Sequence, residues 1–267
     1  MTKIMNMPNA EYHSHPALGS SNIKTLLKNP YEFLNPVKWD DKRFSIGSAV
    51  HKMILEPDEF NEEFAVAPEV NKKTKAGKEA WEAFCENADG KTVLDVNDYA
   101  LCRSCTDAVM SHNEAKVFLS GGAAEQSFFS EIDGVQVKCR PDYYREDIGI
   151  IADVKTCQDA SPDGFIRDVA NFGYYIQAAF YMDVLRSLGL PANKFLFICV
   201  EKKEPFMVGL YELDIASLEF GRDEYMRAFS IYRNIDKFKT PIYRSTADES
   251  VVQTLTLPNY VYYRKGA

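Results

Sequence analysis

The stretch GIIADVKT, Gly149–Thr156, decides the fold. Ile150, Ile151, Ala152 and Val154 form an apolar, β-branched run that reads as a buried strand. Asp153 and Lys155 interrupt it one residue apart. An unpaired buried charge is costly, so such groups are either paired or gathered around a cation. Side chains at i and i+2 of a strand share a face, so Asp153 and Lys155 point the same way. Taken alone, the two read as a buried ion pair, with Arg140 as a second candidate partner for the carboxylate.

The flanking sequence widens the choice. Upstream, EQSFFSEIDGVQVKCRPDYY (125–144) is strand-like on both sides of Asp133-Gly134, a hairpin signal. Glu125 falls at the start of the first hairpin strand and Asp142 near the end of the second. A hairpin-scale connection sets Asp142 beside Asp153 at neighbouring strand ends, so two carboxylates and an ammonium converge. Two close carboxylates repel unless a proton or a cation intervenes. Mg²⁺ suits such a site because it takes a few carboxylates and completes its shell with water and phosphate oxygens. A neighbouring lysine can orient or deprotonate a water, or neutralise charge on phosphorus. The arrangement fits phosphodiester hydrolysis.

Further out, 161–189 reads as one or two helices ending at Gly189. Residues 194–213 read as two strands around a charged turn near Lys203, and 214–239 as a long helix capped by Asp214. The tail 251–264 is short and β-prone. On the N-terminal side, 19–30 reads as a helix capped by Ser20 or Ser21, 43–57 as a second, 71–90 as a charged exposed one, and 96–117 as another. This order predicts one α/β (α+β) domain over 1–267, with a central mixed β-sheet flanked by helices. Its helical N-terminal part spans about 1–118, its sheet core about 119–213, and its C-terminal helix and tail 214–267.

Composition sets limits. Of 267 residues, 46% are hydrophobic and 26% charged, ordinary globular usage. No apolar run is long enough to span a membrane, and the first residues lack a signal-peptide core, so a cytoplasmic protein with reduced thiols is expected. The spacing of Cys102 and Cys105 suits a metal knuckle, but a second pair at matching spacing is missing, and both fit the packed face of an amphipathic helix. A net charge of −8 argues against a broadly basic nucleic-acid-coating surface while allowing a local basic groove or channel. The absence of a Walker motif argues against an ATP-driven motor in this chain.

The motifs together resemble the RecB-like branch of the PD-(D/E)xK nuclease superfamily, and within it the RecE-type exonucleases. Pro141-Asp142 and Asp153-Val154-Lys155 match the two halves of the core motif. GSAVH (Gly47–His51) matches the GxxxH motif, and Gln177 with Tyr181 matches the helical QxxxY motif. The resemblance implies a restriction-endonuclease-like core. It also implies metal-binding roles for His51, Asp142, Asp153 and the carbonyl of Val154, with Lys155 as the catalytic lysine. Gln177 and Tyr181 would position that lysine or the DNA strand. Glu125 would support the metal or the lysine, or is a solvated carboxylate. Thr156 either bonds a phosphate or is an ordinary strand-end threonine. Arg140 would bind phosphate or pair with a carboxylate. The implied activity is Mg²⁺-dependent hydrolysis (Mn²⁺ substituting) of linear double-stranded DNA, 5′ to 3′, in phage-type recombination. Double-stranded DNA ends, a single-strand annealing protein and a homo-oligomeric ring are the implied partners and assembly. The iron–sulfur branch has a late cysteine cluster; here the last cysteine is Cys199, so no iron–sulfur cluster is expected. A structure-specific or single-strand nuclease of the same superfamily is the alternative, and a catalytically silent nucleic-acid-binding module the third reading.

Overall fold

The computed structural model describes residues 2–4, 7–36, 45–245, 248, 250–258 and 261–262. The N-terminal part contains strand β1 (Thr2–Ile4) and helices α1 (Asn9–Ser14), α2 (Ser20–Lys28), α3 (Pro30–Leu34), α4 (Ser45–Leu55) and α5 (Phe60–Glu63). Strand β2 (Phe64–Val66), α6 (Lys75–Asn87), β3 (Thr92–Leu94), α7 (Val96–Ser111) and α8 (Asn113–Phe118) follow. The remaining elements are β4 (Ala123–Ala124), β5 (Ser127–Ile132), β6 (Val135–Cys139), β7 (Tyr143–Arg145), β8 (Ile150–Cys157), α9 (Pro162–Phe172), α10 (Tyr174–Ser187), β9 (Lys194–Glu201), β10 (Val208–Tyr211) and α11 (Ile215–Arg233).

The central sheet has five strands in the order β10-β9-β8-β7-β4. Strands β8 and β9 are parallel, with Asp153 opposite Phe197, and the other pairs are antiparallel. The sheet is therefore mixed, as the sequence predicts. A parallel pair needs a long crossover, which α9 and α10 supply. Both faces are covered, which explains the nearly unbroken apolar runs of β8 and β9. On one face Ile151, Cys157, Phe195 and Phe197 pack with residues of α2, α10 and α11. On the other, Ala152, Val154, Ile198 and Val200 pack with α4 and α7. Cys102 and Cys105 lie buried in that second core as free thiols.

Several expectations are corrected. The hairpin forms at Asp133-Gly134, both with positive φ (49° and 71°), as a tight turn of the primed type requires. Its strands do not join the central sheet; they make a separate three-stranded sheet, β1-β5-β6. Glu125 is on neither hairpin strand but in the link between β4 and β5. The helix expected over 96–117 divides at His112, whose backbone is extended and whose Nδ1 accepts from the Ala115 amide at 3.4 Å to cap α8. Helix α2 is capped at Gly19, not by a serine: the Gly19 amide donates to Asn22 Oδ1 at 2.9 Å. The described part of the tail carries no strand, and residues 43, 44, 259, 260, 263 and 264 of the predicted second helix and tail lie outside the described residues. None of the described helices is long and apolar enough to cross a membrane.

Helices α10 and α11 meet at Gly221, where a Cβ would stand 2.3 Å from the Tyr175 carbonyl oxygen. Backbone cannot yield there as a flexible side chain could. Gly221→Ala is expected to push the helices apart and destabilise the fold by about 1–3 kcal/mol, measured by urea denaturation. An unchanged midpoint would show that the contact is not tight.

Candidate active site

The site lies where β7 and β8 part. Their ladder runs from Arg145↔Ile150 to Tyr143↔Ala152 and goes no further. Asp142, just before β7, then takes over with its side chain: Oδ2 accepts from the Val154 amide at 2.8 Å. The Val154 carbonyl faces Nε2 of His51, 2.5 Å away. Helix α4 carries His51, and the other ring nitrogen, Nδ1, is 3.4 Å from Asp142 Oδ2. The structure thus brings together His51, Asp142 and the Val154 carbonyl, from three separate segments.

Asp153 and Lys155 project from the opposite face of β8, toward α10. Asp153 is fully buried. Its Oδ1 accepts from Gln177 Nε2 at 2.7 Å, and its Oδ2 is paired with Lys155 Nζ. Burial pushes the Asp153 carboxyl up to about 6, against the pull of Lys155 and with help from Asp142. Burial acts against the charge on Lys155, but Asp153 and Asp142 outweigh it and hold the ammonium above its usual range. Lys155 is therefore a stored positive charge in this arrangement, not a ready base.

Gln177 holds Asp153, so it reaches the lysine only through the carboxylate. Tyr181, one turn on, is buried in the core; its hydroxyl meets the side chain of Ser20 at the start of α2. Glu125 has φ 49°, and its amide donates to the Asp142 carbonyl at 3.1 Å. Burial, then the charges of Asp142 and Glu56, push its carboxyl up to about 8. Glu125 and Arg140 border two clefts of about 320 and 250 Å³; His51, Lys52 and Glu56 line the first, and Ser20, Lys138 and Tyr181 the second.

Two predicted residues are engaged by other partners: Arg140 at the rim of the cleft, and Thr156 on the far face of β8. Arg140 pairs with no carboxylate among the described residues. Its guanidinium donates to Ser127 Oγ at 2.9 and 2.7 Å and to the Met7 carbonyl at 2.8 Å, and stacks 4.2 Å from the Tyr12 ring. It secures the N-terminal segment. Thr156 faces α4, where Gly47 leaves it room, rather than the Asp153–Lys155 pair.

Lys24 and Tyr174 escape the sequence reading. Lys155 Nζ lies 5.0 Å and Lys24 Nζ 5.8 Å from the centre of the Tyr174 ring. The signal for Tyr174 was helical spacing, because Tyr174, Gln177 and Tyr181 share one face of α10. Lys24 is four residues after Ser20, on the inward face of α2, an unusual place for a lysine.

Residues 19–248 match the family described as a PDDEXK-like domain of unknown function (DUF3799). The chain belongs to this family. That places the DUF3799 chain in the PD-(D/E)xK superfamily, with an α/β nuclease core. The crystal structure of a "Putative exonuclease" from Eubacterium rectale is similar, with a TM-score of 0.59 and 16% identity over 95% of this chain and 97% of that one. At that identity the likeness is one of fold. The crystal structure of SSO0001, at a TM-score of 0.28, 17% identity and coverage of 77% of this chain and 84% of that one, is too distant to bear on it. No curated protein matches the chain.

Burial and the charge of Lys155 lower the Lys24 ammonium from 10.5 to about 8. Between those values the unfolded chain binds more protons, so stability rises with pH there. Lys24→Met should accordingly be more stable than wild type at neutral pH, with the gap closing as pH rises from about 8 toward 10.5. Denaturation midpoints of both proteins across that range are the check; a gap independent of pH would contradict it.

Proposed function

We propose that this protein is a Mg²⁺-dependent exonuclease acting on linear double-stranded DNA from the 5′ end, with Mn²⁺ able to substitute. The observation that carries the reading is the convergence of His51, Asp142 and the Val154 carbonyl at the end of the β7–β8 ladder, with Asp153 and Lys155 projecting from the opposite face of β8 beside it. Two carboxylates, a carbonyl and an imidazole are the donors a hard divalent cation accepts. Among the described residues, no three His, Cys, Asp or Glu side chains form a group able to hold an ion. The Val154 carbonyl and a phosphate oxygen of the substrate are therefore part of the proposed donor set. A divalent cation supplies, when bound, the charge that activates water and offsets the negative charge developing on phosphate.

The chain's own residues do the rest. Lys155, kept protonated by the aspartates, donates to an oxygen of the scissile phosphate and stabilises charge in the transition state. Gln177 fixes the rotamer of Asp153. Glu125, whose carboxyl is raised by burial and by the charges of Asp142 and Glu56, lines the cleft beside His51 and supports the cation or the lysine. The net charge of −8 agrees with a closed ring whose basic lysines and arginines face a DNA channel while its exterior stays acidic. Such a protein would serve phage-type recombination by handing its 3′ single strand to an annealing protein.

The test uses linear duplex labelled at either 5′ or 3′ end, and covalently closed circles. Digestion should need Mg²⁺ or Mn²⁺, stop in EDTA, release the 5′ label first and spare the circles. Asp153→Ala should lose both cleavage and calorimetric metal binding. Lys155→Ala should lose about 10²-fold or more in rate while keeping metal affinity. Full activity in chelator sinks the metal mechanism. Rapid cutting of closed circles by a monomer sinks the ring and points to a structure-specific nuclease. Loss of metal binding in Lys155→Ala makes the division of roles wrong.

A further inference from the structure

The corner between α9 and α10 carries a feature that the catalytic groups do not explain. Phe172, the last residue of α9, is 55% exposed. Gly173 follows in the left-handed region, φ 63°, and the chain turns there into Tyr174. The Phe172 and Tyr174 rings are 5.6 Å apart and inclined by 34°. Tyr174 itself rests on the core rings of Phe165 and Phe197. The aromatic series thus runs from the interior, past Lys155 Nζ at 5.0 Å from Tyr174, and ends on a free ring in solvent.

Lys24 flanks the same corner from α2. Its stem packs on Gly173, where a Cβ would meet Lys24 Cδ at 3.1 Å, and its ammonium is 5.8 Å from the Tyr174 ring centre. It makes no ion pair among the described residues, although it is only half-exposed. Lys155 is engaged by Asp153, so Lys24 is the cation at this corner still lacking an anion. An exposed ring with unpaired positive charge beside it matches the two parts of a nucleotide. Bases stack on aromatic faces whatever their sequence, and phosphates seek ammonium groups. A purely apolar partner would satisfy Phe172 and leave Lys24 without a counterion.

We propose that Phe172 and Lys24 form a nucleotide-holding platform beside the active site, Phe172 stacking on an unpaired base of the DNA strand and Lys24 binding a phosphate of that strand. The platform rests on the nuclease reading above and adds to it a requirement: the bound strand must offer a base free of its partner. It makes both side chains positioning residues, since neither touches the metal donors. Substrate affinity should fall on their loss more than turnover does.

The experiment measures steady-state cleavage of linear duplex, together with fluorescence of 2-aminopurine placed in the terminal nucleotides of a phosphorothioate-protected end. Wild type should quench the probe on binding. Phe172→Ala should raise KM about ten-fold, leave kcat within about two-fold, and abolish the quench; Phe172→Trp should restore both. Lys24→Gln should raise KM and reduce the slope of log affinity against log salt by about 1, and Lys24→Arg should recover it. Circular dichroism confirms that each variant is folded. If wild type cleaves DNA and the Phe172 and Lys24 variants keep its KM, quench and salt slope, the platform is wrong and the nuclease reading stands. If wild type neither cleaves nor binds DNA, both fall. A change of oligomeric state in Phe172→Ala, seen by light scattering with DNA affinity intact, would make the ring a contact between copies and overturn the proposal.

Discussion

Asp153 sits in the middle of the fold with no solvent exposure, and the surrounding structure is arranged to keep it there. A buried carboxylate needs donors on both oxygens. One comes from Lys155 on its own strand and the other from Gln177 on α10. Such a pair is a poor source of stability, because desolvation of both charges cancels most of their attraction. Its effect is to fix geometry: the strand can occupy one register only, since a slip by one residue would turn both charges into the opposite apolar core. Gln177 in turn depends on α10, and α10 depends on its close seat against α11 at Gly221.

The two cores divide this labour. The face holding Asp153 and Lys155 is backed by α10 and α11, and the Tyr174 ring of α10 stands beside the pair. The opposite face is backed by α4 and α7. Helix α4 packs Ala49 and Val50 inward and so brings His51, the next residue, to the sheet's margin. The two halves of the site hang on different layers and meet only at the backbone of Val154. A displacement of either layer would separate them.

How much of this could be read from sequence depended on the range of the cause. The strand β8, the hairpin turn at Asp133-Gly134 and the Asp214 cap arise from neighbours in the chain, and local chemistry reveals them. The order of motifs was also legible, including Gln177 and Tyr181 on one helix face. What was not legible arose from distance. Whether β5 and β6 join the central sheet depends on β1 arriving from the far end of the chain to pair with β5. The carbonyl and the hydroxyl that claim Arg140 belong to Met7 and Ser127. Lys24 joins the site because α2 packs across α10, a contact that leaves no periodic trace beyond one lysine on a buried face.

The early end of the β7–β8 ladder also bears on the integrity of the sheet. Strand β7 is three residues long and β8 eight, so the outer half of β8 lacks a strand neighbour on that side. An unpaired length of strand is a template on which a foreign segment can dock and begin aggregation. Here a carboxylate occupies the Val154 amide and an imidazole covers its carbonyl. Asp142 and His51 therefore act as plugs in an incomplete sheet as well as candidate ligands. The same two side chains thus close the sheet's open edge and furnish the proposed ligands, so losing either would uncover the outer half of β8.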